Sequence, residues 1–395
     1  MTNISALAGD ACDKAARGST AGSTAAGSGT AWEQAARRCP KRMAHGPCAG
    51  VRADGDCEVP RFGRCSYLDV PDDRWPYPDR RLDPGPTRGP GAGIRLRTPA
   101  AAAFLATAAA RPVVVVDLVA PPPPADGTRA ADGIRACAAE LAGLADAALI
   151  GDHPAARVQF PPSYRARLLA DEGLTAWAGI NCRDRNRAAL EGELAACADA
   201  GVAGLHCVTG DHPANGGESG TVPVFDLDSF SLVELARRTG ALCSVAHAPA
   251  APPVHQRLPR LLAKVRAGAD VVFVDHCGGA AHVAAAVGAV RAAGFCGLVF
   301  GCVPIVTSPD SAAVIASFAA DRLPPGYLDT IMTAPDAVEA GIAAATRLAR
   351  TFLDLPGLDG VNLSGGAGPG QELAATRAMA EVSRRLADGG PGVIR

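Results

Sequence analysis

Short apolar runs alternate with amphipathic Ala/Leu/Arg stretches from about residue 98 onward. Each amphipathic stretch ends in Ala-Gly or Ala-Asp and leads into a β-branched run, as in ELAACADAGVAGLHCVTGD and LLAKVRAGADVVFVD. Gly or Asp at a helix end permits a tight turn, and a continuous apolar run suits a strand buried on both faces. The pattern predicts strands at Val113–Asp117, Ala147–Gly151, Thr175–Asn181, Gly204–Thr209, Leu242–His247, Val271–Asp275, Gly297–Val303 and Gly360–Leu363.

Eight such strands with intervening helices predict an α/β fold, a (β/α)₈ TIM barrel. A doubly wound open sheet is the alternative. It is disfavoured because the first strand is followed by the residues VAPPPP at 119–124. That sequence cannot form the Gly-rich turn and helix N-terminus that hold a dinucleotide phosphate.

The N-terminal part of the chain divides differently. Residues 1–35 are rich in Ala, Gly, Ser and Thr and bury too little apolar surface to fold, so we expect a disordered tail. Residues 36–79 form a four-cysteine module, and residues 80–97 a Pro/Gly-rich linker. The barrel is expected to occupy 98–395.

The module contains four cysteines separated by eight, eight and seven residues: Cys39, Cys48, Cys57 and Cys65. Loops rich in Gly and Pro let thiolates converge on one ion, as in a Cys₄ zinc site or an iron–sulfur cluster. The spacing differs from the CxxC pairs of common zinc sites, so two disulfides or reduced core thiols are alternatives. His45 is an alternative ligand, or a solvated loop residue.

Composition excludes several classes of protein. Lys and Arg total 38 against 40 Asp and Glu, so a globally basic surface for nucleic acid is not expected. Thirteen cysteines cannot all be paired in disulfides. We find no secretory signal pattern, and the longest apolar stretch is interrupted by His282 and Arg291, so no membrane span is expected. These observations favour a cytoplasmic protein.

Polar residues follow most of the predicted strands, where function collects in a barrel. Any one of them could be a helix cap, but together they indicate a site. A carboxylate buried in a barrel mouth can have a raised pKa and act as a general acid near neutral pH. The residues are Asp117, Asp152, His153, Asn181, Thr209, Asp211, His212, His247, Asp275 and His276.

Four motifs in this order resemble the methylenetetrahydrofolate reductase family. They are NCRDRNRAAL at 181–190, VTGDHP at 208–213, VFDLDSFSLVEL at 224–235 and APPVHQRLPRLLAKVRAGAD at 251–270. The resemblance implies a TIM barrel with FAD at the strand C-termini. It also implies a folate substrate, because these enzymes reduce 5,10-methylenetetrahydrofolate to 5-methyltetrahydrofolate with NAD(P)H. Members are commonly homo-oligomers.

The resemblance also implies roles for individual residues. Asp117 stands where the family has the Glu that protonates the folate and opens its five-membered ring to an iminium ion. Asp211 matches the aspartate that lies near the flavin and stabilises this cation. Lys264 matches a lysine that contacts the flavin phosphates. The predicted cofactor-binding set is completed by Asn181, Thr209, His247 and Asp275.

Besides Asp117, which replaces a Glu, three further positions depart from the family pattern. Asp275 replaces a Gln that hydrogen-bonds substrate and flavin, and a carboxylate accepts but cannot donate. Gly179 and Ala263 replace polar flavin-contact residues. The alternatives to ordinary flavin binding are weak binding, a different binding mode, or direct use of nicotinamide as in flavin-free relatives.

The string CPKRMAHGPCAG at 39–50, with CEV at 57–59, resembles the small C-terminal module associated with these reductases. That module is linked to metal or iron–sulfur binding and to electron delivery or partner contact. The sequence therefore predicts a flavin-dependent methylenetetrahydrofolate reductase-like oxidoreductase, with an electron-transfer or methyltransferase protein as a further partner. The alternatives are a folate-dependent methyl-transfer protein and a non-catalytic folate-binding subunit.

Overall fold

The computed structural model describes residues 30–77, 96–121, 129–152, 158–216, 221–317, 322–368 and 370–388. Most of the predicted tail and linker lie outside these ranges. The described residues form an N-terminal module, which contains the four cysteines, and a barrel.

Eight parallel strands close the barrel in sequence order, which confirms the predicted fold class. The first and last strands pair directly, with Val113 opposite Gly360. Each strand lies where the apolar runs predict it, with its ends shifted by two residues or fewer. The strands are β1 Val113–Leu118, β2 Ala147–Ile150, β3 Ala176–Asn181, β4 Gly204–Val208, β5 Leu242–His247, β6 Val271–Val274, β7 Leu298–Ile305 and β8 Gly360–Gly365.

Helices cover the outside of the barrel, one further helix opens the module, and another precedes the first strand. The helices are α1 Ala31–Arg38, α2 Pro99–Ala110, α3 Arg129–Leu141, α4 Pro162–Asp171, α5 Arg187–Asp199, α6 Ser229–Ala236, α7 Arg257–Ala267, α8 Ala280–Ala292, α9 Pro309–Ser317, α10 Tyr327–Met332, α11 Ala337–Leu353 and α12 Glu372–Asp388. Among the helices that the structure describes, we find none whose length and apolarity would let it cross a membrane.

Aromatic side chains fill the barrel interior near the N-terminal ends of the strands. Trp177, Phe273 and Phe300 contact one another edge to face, and Phe104 of α2 packs on Trp177 and Phe300 from below. At Gly204 a Cβ would lie 2.0 Å from the Trp177 ring, so the large ring requires glycine on the neighbouring strand. This end of the barrel is closed, and the opposite end is left for function.

A buried ion pair fastens the chain before α2 to the barrel. Arg97 donates to both carboxylate oxygens of Asp270, at 2.9 and 2.8 Å. Asp270 is 2% exposed and also accepts the backbone N–H of Cys243 at 3.0 Å. The bidentate geometry is the strongest that an arginine and a carboxylate form.

The module is held together by an aromatic core. Trp32 meets Tyr67 and Trp75 edge to face, with ring centroids 5.0 and 5.2 Å apart. Ser66 donates from its hydroxyl to the carbonyl of Ala35 at 2.9 Å. Helix α1 begins at Ala31, inside the segment that the sequence assigns to the tail. The module therefore has an apolar core of its own.

Candidate active site at the barrel mouth

The C-terminal ends of the strands open into two adjoining cavities beneath the module. The Lys264 cavity, of about 320 Å³, is lined by that lysine. The Asp117 cavity, of about 260 Å³, is lined by that carboxyl group. Asp211, Asp275 and Glu58 of the module line both. The structure thus brings together three of the four carboxylates that the sequence places at strand ends, whereas the fourth, Asp152, pairs with Arg165 at 2.6 Å.

Two of these carboxyl groups are buried, with consequences for their protonation. Burial and the nearby charge of Asp275 raise the pKa of Asp117 to about 7. Burial raises the pKa of Asp275 to about 6, against the opposing effect of Lys264 and Arg257. Asp117 is therefore partly protonated at neutral pH and able to donate a proton. Asp211 is exposed.

The basic groups of the Lys264 cavity are buried as well. Burial and the neighbouring Arg260 lower the pKa of Lys264 to about 7. Burial lowers the pKa of His206 and of His247 to about 3, so both imidazoles are neutral at neutral pH. His247 lies in the site, as the sequence predicts. Sequence reasoning misses His206 because it lies inside β4 and not at its end.

Thr209 and Asn181, both of the predicted cofactor-binding set, differ in where their side chains lie. Thr209 lines the Lys264 cavity, and its hydroxyl oxygen accepts the backbone N–H of Ser229 at 3.1 Å. Asn181 donates from its side-chain amide to Asp152 and accepts the backbone N–H of Arg183 at 3.0 Å. Asn181 is not among the described residues that line either cavity, so its visible role is to shape the loop after β3.

A neutral hydrogen-bonded pair completes the Asp117 cavity. The Nδ1 of His276 lies 3.2 Å from the carbonyl oxygen of Cys302 and donates to it. Its Nε2, 3.0 Å from the hydroxyl of Ser364, therefore accepts from that hydroxyl. Burial lowers the pKa of His276 to about 4, so the pair carries no charge at neutral pH. Ser364 has no local sequence pattern that would mark it as a site residue.

Sequence reasoning also misses the part of the module that enters the barrel mouth. Lys41, 3% exposed, donates to the carbonyl of Gly210 at 2.7 Å and forms an ion pair with Glu58. Burial alone would lower its pKa, but the charges of Cys48, Glu58 and Asp211 raise it. Lys41 is thus a fixed cation near Asp211. Contacts between residues so distant in sequence leave no local pattern.

Gly50 makes room for the ion pair between Lys41 and Glu58. A Cβ at Gly50 would lie 1.8 Å from a carboxylate oxygen of Glu58. The CPK, GPCAG and CEV strings therefore supply Lys41, Gly50 and Glu58 to one buried arrangement. This gives these strings a structural role that does not involve their cysteines.

Two arginines of α7 hold the module in place through its main chain. Arg257 donates to the carbonyls of Pro47 and Cys48, at 3.2 and 3.1 Å. Arg260 donates from Nε to the carbonyl of His45 at 2.8 Å. Each bond has a charged donor, which makes it stronger than a neutral hydrogen bond.

His45 adds a side-chain contact to this interface. Its Nδ1 lies 2.9 Å from a carboxylate oxygen of Asp228, and its ring stacks on Phe230 with centroids 4.2 Å apart. Burial would raise the pKa of Asp228, but the hydrogen bond from His45 holds it at about 2. His45 therefore docks the module onto the barrel, in contrast to the ligand and solvated-loop alternatives.

The four module cysteines are free thiols in one neighbourhood. Burial, together with the neighbouring thiols, raises the pKa of Cys39 to about 11 and of Cys65 to about 12. Metal ligation requires thiolates. In the ranges that the structure describes, no three His, Cys, Asp or Glu residues are placed to hold a metal ion. The predicted zinc or iron–sulfur ligation by Cys39, Cys48, Cys57 and Cys65 stays a prediction.

The sequence predicts FAD at this site, with its phosphates at Lys264. The module backbone at residues 45–48 covers Arg257 and Arg260, the cations next to that lysine. With the module docked, main-chain carbonyls engage both guanidinium groups, which leaves less positive charge free for flavin phosphates beside Lys264.

Family models match both parts of the chain. The Methylenetetrahydrofolate reductase family model matches residues 152–357, just over half of the chain. The model described as Methylene-tetrahydrofolate reductase C terminal matches residues 29–74, which include most of the module. No curated protein matches the chain.

Solved structures are similar to this chain over about 70% of its length. An uncharacterized protein from Clostridium thermocellum, which binds two copies of 5-methyl-5,6,7,8-tetrahydrofolic acid, is 11% identical, with a TM-score of 0.51 over 70% of this chain and 96% of that chain. A tryptophan synthase from M. tuberculosis is 15% identical, with a TM-score of 0.38 over 73% of this chain and 98% of that chain. The first likeness shows the fold. By the family match over the greater part of its barrel, the chain belongs to the methylenetetrahydrofolate reductase family.

Proposed function

We propose that this protein binds a tetrahydrofolate in the Asp117 cavity and reduces its 5,10-methylene unit to a 5-methyl group. The observation that carries this proposal is the buried Asp117, whose pKa of about 7 suits a general acid, in one cavity with Asp211 and Asp275. Family membership supports a folate-related one-carbon enzyme. The methyltetrahydrofolate bound by the C. thermocellum neighbour agrees with that substrate class.

In the proposed reaction Asp117 donates its proton to the folate nitrogen that leaves. The C–N bond of the five-membered ring then breaks, and a cationic iminium forms. The carboxylate of Asp211 faces the same cavity and stabilises this positive charge without transferring a proton. A hydride added to the iminium carbon gives the methyl group.

The proposed hydride donor is NAD(P)H itself. The resemblance gives the flavin-phosphate contact to Lys264, which has a pKa of about 7 and is only partly charged at neutral pH, while the neighbouring Arg257 and Arg260 are engaged by module carbonyls. We therefore derive no step through a flavin. One methylenetetrahydrofolate, one NAD(P)H and one proton give one methyltetrahydrofolate and one NAD(P)⁺.

The test compares NAD(P)H oxidation with methylenetetrahydrofolate in the wild type, D117N and D117E. D117N should lose turnover by about 10²- to 10⁴-fold, the usual contribution of a general acid. Binding of 5-methyltetrahydrofolate, measured by calorimetry, should persist, and D117E should keep activity. Unimpaired turnover in D117N would overturn the acid assignment. Stoichiometric flavin bands in anaerobically purified protein would overturn the choice of donor.

A non-catalytic folate-binding subunit is the second candidate. It is favoured by the Lys41–Glu58 pair, which occupies the mouth that both cavities share. Tight folate binding with no NAD(P)H oxidation would support it. The predicted electron-transfer or methyltransferase protein would then act on the bound folate. That partner, like the predicted homo-oligomer, remains a proposal.

A further inference from the structure

Lysine is almost absent from this chain. Of its 38 basic residues three are lysines, Lys14, Lys41 and Lys264, and the others are arginines. Two of the three line the Lys264 cavity. Arginine keeps its charge, whereas lysine can lose its proton and become a nucleophilic amine. In a chain that uses arginine nearly everywhere, a lysine in a cavity points to a function that arginine cannot provide wherever its amine is free to react.

The two lysines have different surroundings. Lys41 is held by the carbonyl of Gly210 at 2.7 Å and by the carboxylate of Glu58. Lys264 lies on α7, is 7% exposed and borders the cavity. Within the described parts of the chain its amine makes no hydrogen bond and no ion pair. Lys41 is therefore a fixed ammonium group, and Lys264 has its amine available to a ligand.

The charges around Lys264 favour its neutral form. Burial is the largest effect, and Arg260 and Arg257 on its own helix act in the same direction. Asp228 before α6 and Asp275 after β6 raise the pKa of Lys264, but their combined effect is smaller. With a pKa of about 7 the amine is about half unprotonated at pH 7. An ordinary lysine, with a pKa of about 10.4, is unprotonated roughly 10³-fold less often.

The remaining groups that face the cavity do not supply a competing cation at Lys264. His206 on β4 and His247 on β5 are neutral, because burial lowers the pKa of each to about 3. Cys48 and Glu58 of the module, Cys207 of β4 and Asp211 after β4 complete the titratable lining. Burial raises the pKa of Cys207 well above its ordinary value, so its thiol is neutral. The ammonium of Lys41 is paired with Glu58.

We propose that Lys264 is a carbonyl-trapping amine that forms a reversible Schiff base with a formaldehyde-sized aldehyde in its cavity. The neutral Nζ adds to the carbonyl carbon, and the oxygen takes a proton to give a carbinolamine. Asp275, which lines the same cavity, protonates the hydroxyl group; water leaves and the C=N bond forms. The sequence of steps consumes no oxidant or reductant, and water reverses it.

The choice of aldehyde rests on the proposed function. Formaldehyde is at the same oxidation level as the methylene group of methylenetetrahydrofolate. It is released when methylenetetrahydrofolate is hydrolysed to tetrahydrofolate. Lys264 would retain this carbon in the protein. The reactivity of the Lys264 amine does not depend on folate binding.

The test is reductive trapping with formaldehyde and cyanoborohydride, with methylation mapped to single lysines by peptide mass spectrometry. Lys14 serves as the internal reference, and the N-terminal amine is resolved by the mapping. At pH 7, Lys264 should be methylated at least ~10²-fold faster than Lys14, allowing for restricted access to the cavity. Its rate should level off just above pH 7, while Lys41 stays unmodified. Equal rates at Lys264 and Lys14, or a Lys264 rate that still climbs at pH 10, would overturn the inference.

Two controls make the outcome independent of a single variant. K264R keeps the cation and K264M keeps the length of the side chain, and both should remove the fast phase without changing the circular dichroism spectrum. In urea the wild-type preference for Lys264 should vanish. Trapping uses neither folate nor NAD(P)H, so fast labelling without folate turnover refutes only the proposed function. Folate turnover without fast labelling refutes only this inference.

Discussion

Replacing Lys41 by methionine should release the module from the barrel. Lys41 and Glu58, with exposures of 3% and 8%, form a buried ion pair within the module, and Lys41 also donates to the carbonyl of Gly210 in the barrel mouth. The methionine keeps the apolar part of the side chain but leaves the Glu58 carboxylate and the Gly210 carbonyl without the ammonium donor. Removing one partner of a buried pair costs about 3–5 kcal/mol. Each ~1.4 kcal/mol changes an equilibrium tenfold, so this cost corresponds to roughly a 10²- to 4 × 10³-fold shift toward the undocked state.

Hydrogen exchange measures this shift segment by segment. The amide of His45, which donates to the carboxylate of Asp228 on the barrel at 3.0 Å, should exchange faster by up to that factor. Amides in the middle of α8, on the barrel, should keep their rates. A comparable loss of protection in α8 would mean that the whole protein had been destabilised.

The matched control is an exposed ion pair in the same module. Arg64 and Asp69 lie 3.0 Å apart with side chains 56% and 59% exposed, so R64M should cost less than about 1 kcal/mol. The double variant K41M/E58L, which removes both charges, should recover most of the protection. The reasoning is refuted if K41M behaves like R64M, or if the double variant exchanges as fast as K41M.

Three further predictions follow from the site and the core. Asp117 must be protonated to act, so turnover should fall as pH rises through about 7, the pKa of Asp117. The variant D275N removes a charge that raises the pKa of Asp117, so a pH–rate profile should show the decrease in turnover at lower pH. D270A leaves the Arg97 guanidinium without its buried partner and should lower the free energy of unfolding in urea by about 3–5 kcal/mol. Gly50→Ala places a methyl group 1.8 Å from the buried module carboxylate and should speed exchange in the module, whereas unchanged rates would show that the loop adapts.

The barrel can be predicted from sequence because its strands are buried on both faces. A β-branched run between helices is a local signal, and each strand end falls within two residues of the predicted one. The carboxylates Asp117, Asp211 and Asp275 can be placed together because strand ends converge in any barrel. Asn181 also lies at a strand end, but its side-chain amide donates to Asp152 and does not line the cavity. This orientation depends on side-chain contacts that no local sequence pattern shows.

The docking of the module cannot be predicted in this way. Lys41 meets Gly210 across 169 residues of chain, and no periodicity reports such a contact. Two signals are nonetheless present in the composition. Two of the three tryptophans, Trp32 and Trp75, fall in the module and indicate an aromatic core. The scarcity of lysine in a chain so rich in arginine singles out Lys41 and Lys264.

Arg257 and Arg260 of α7 bind the module through its main-chain carbonyl groups. A main-chain carbonyl is present whatever residue occupies the position, so most substitutions at 47 and 48 that preserve the backbone leave these bonds intact. The interface therefore holds positions 47 and 48 by their backbone alone and leaves their side chains free to change. Lys41 and His45 lack this freedom, because their own side chains contact Gly210 and Asp228. One short module thus combines replaceable and fixed positions within ten residues of each other.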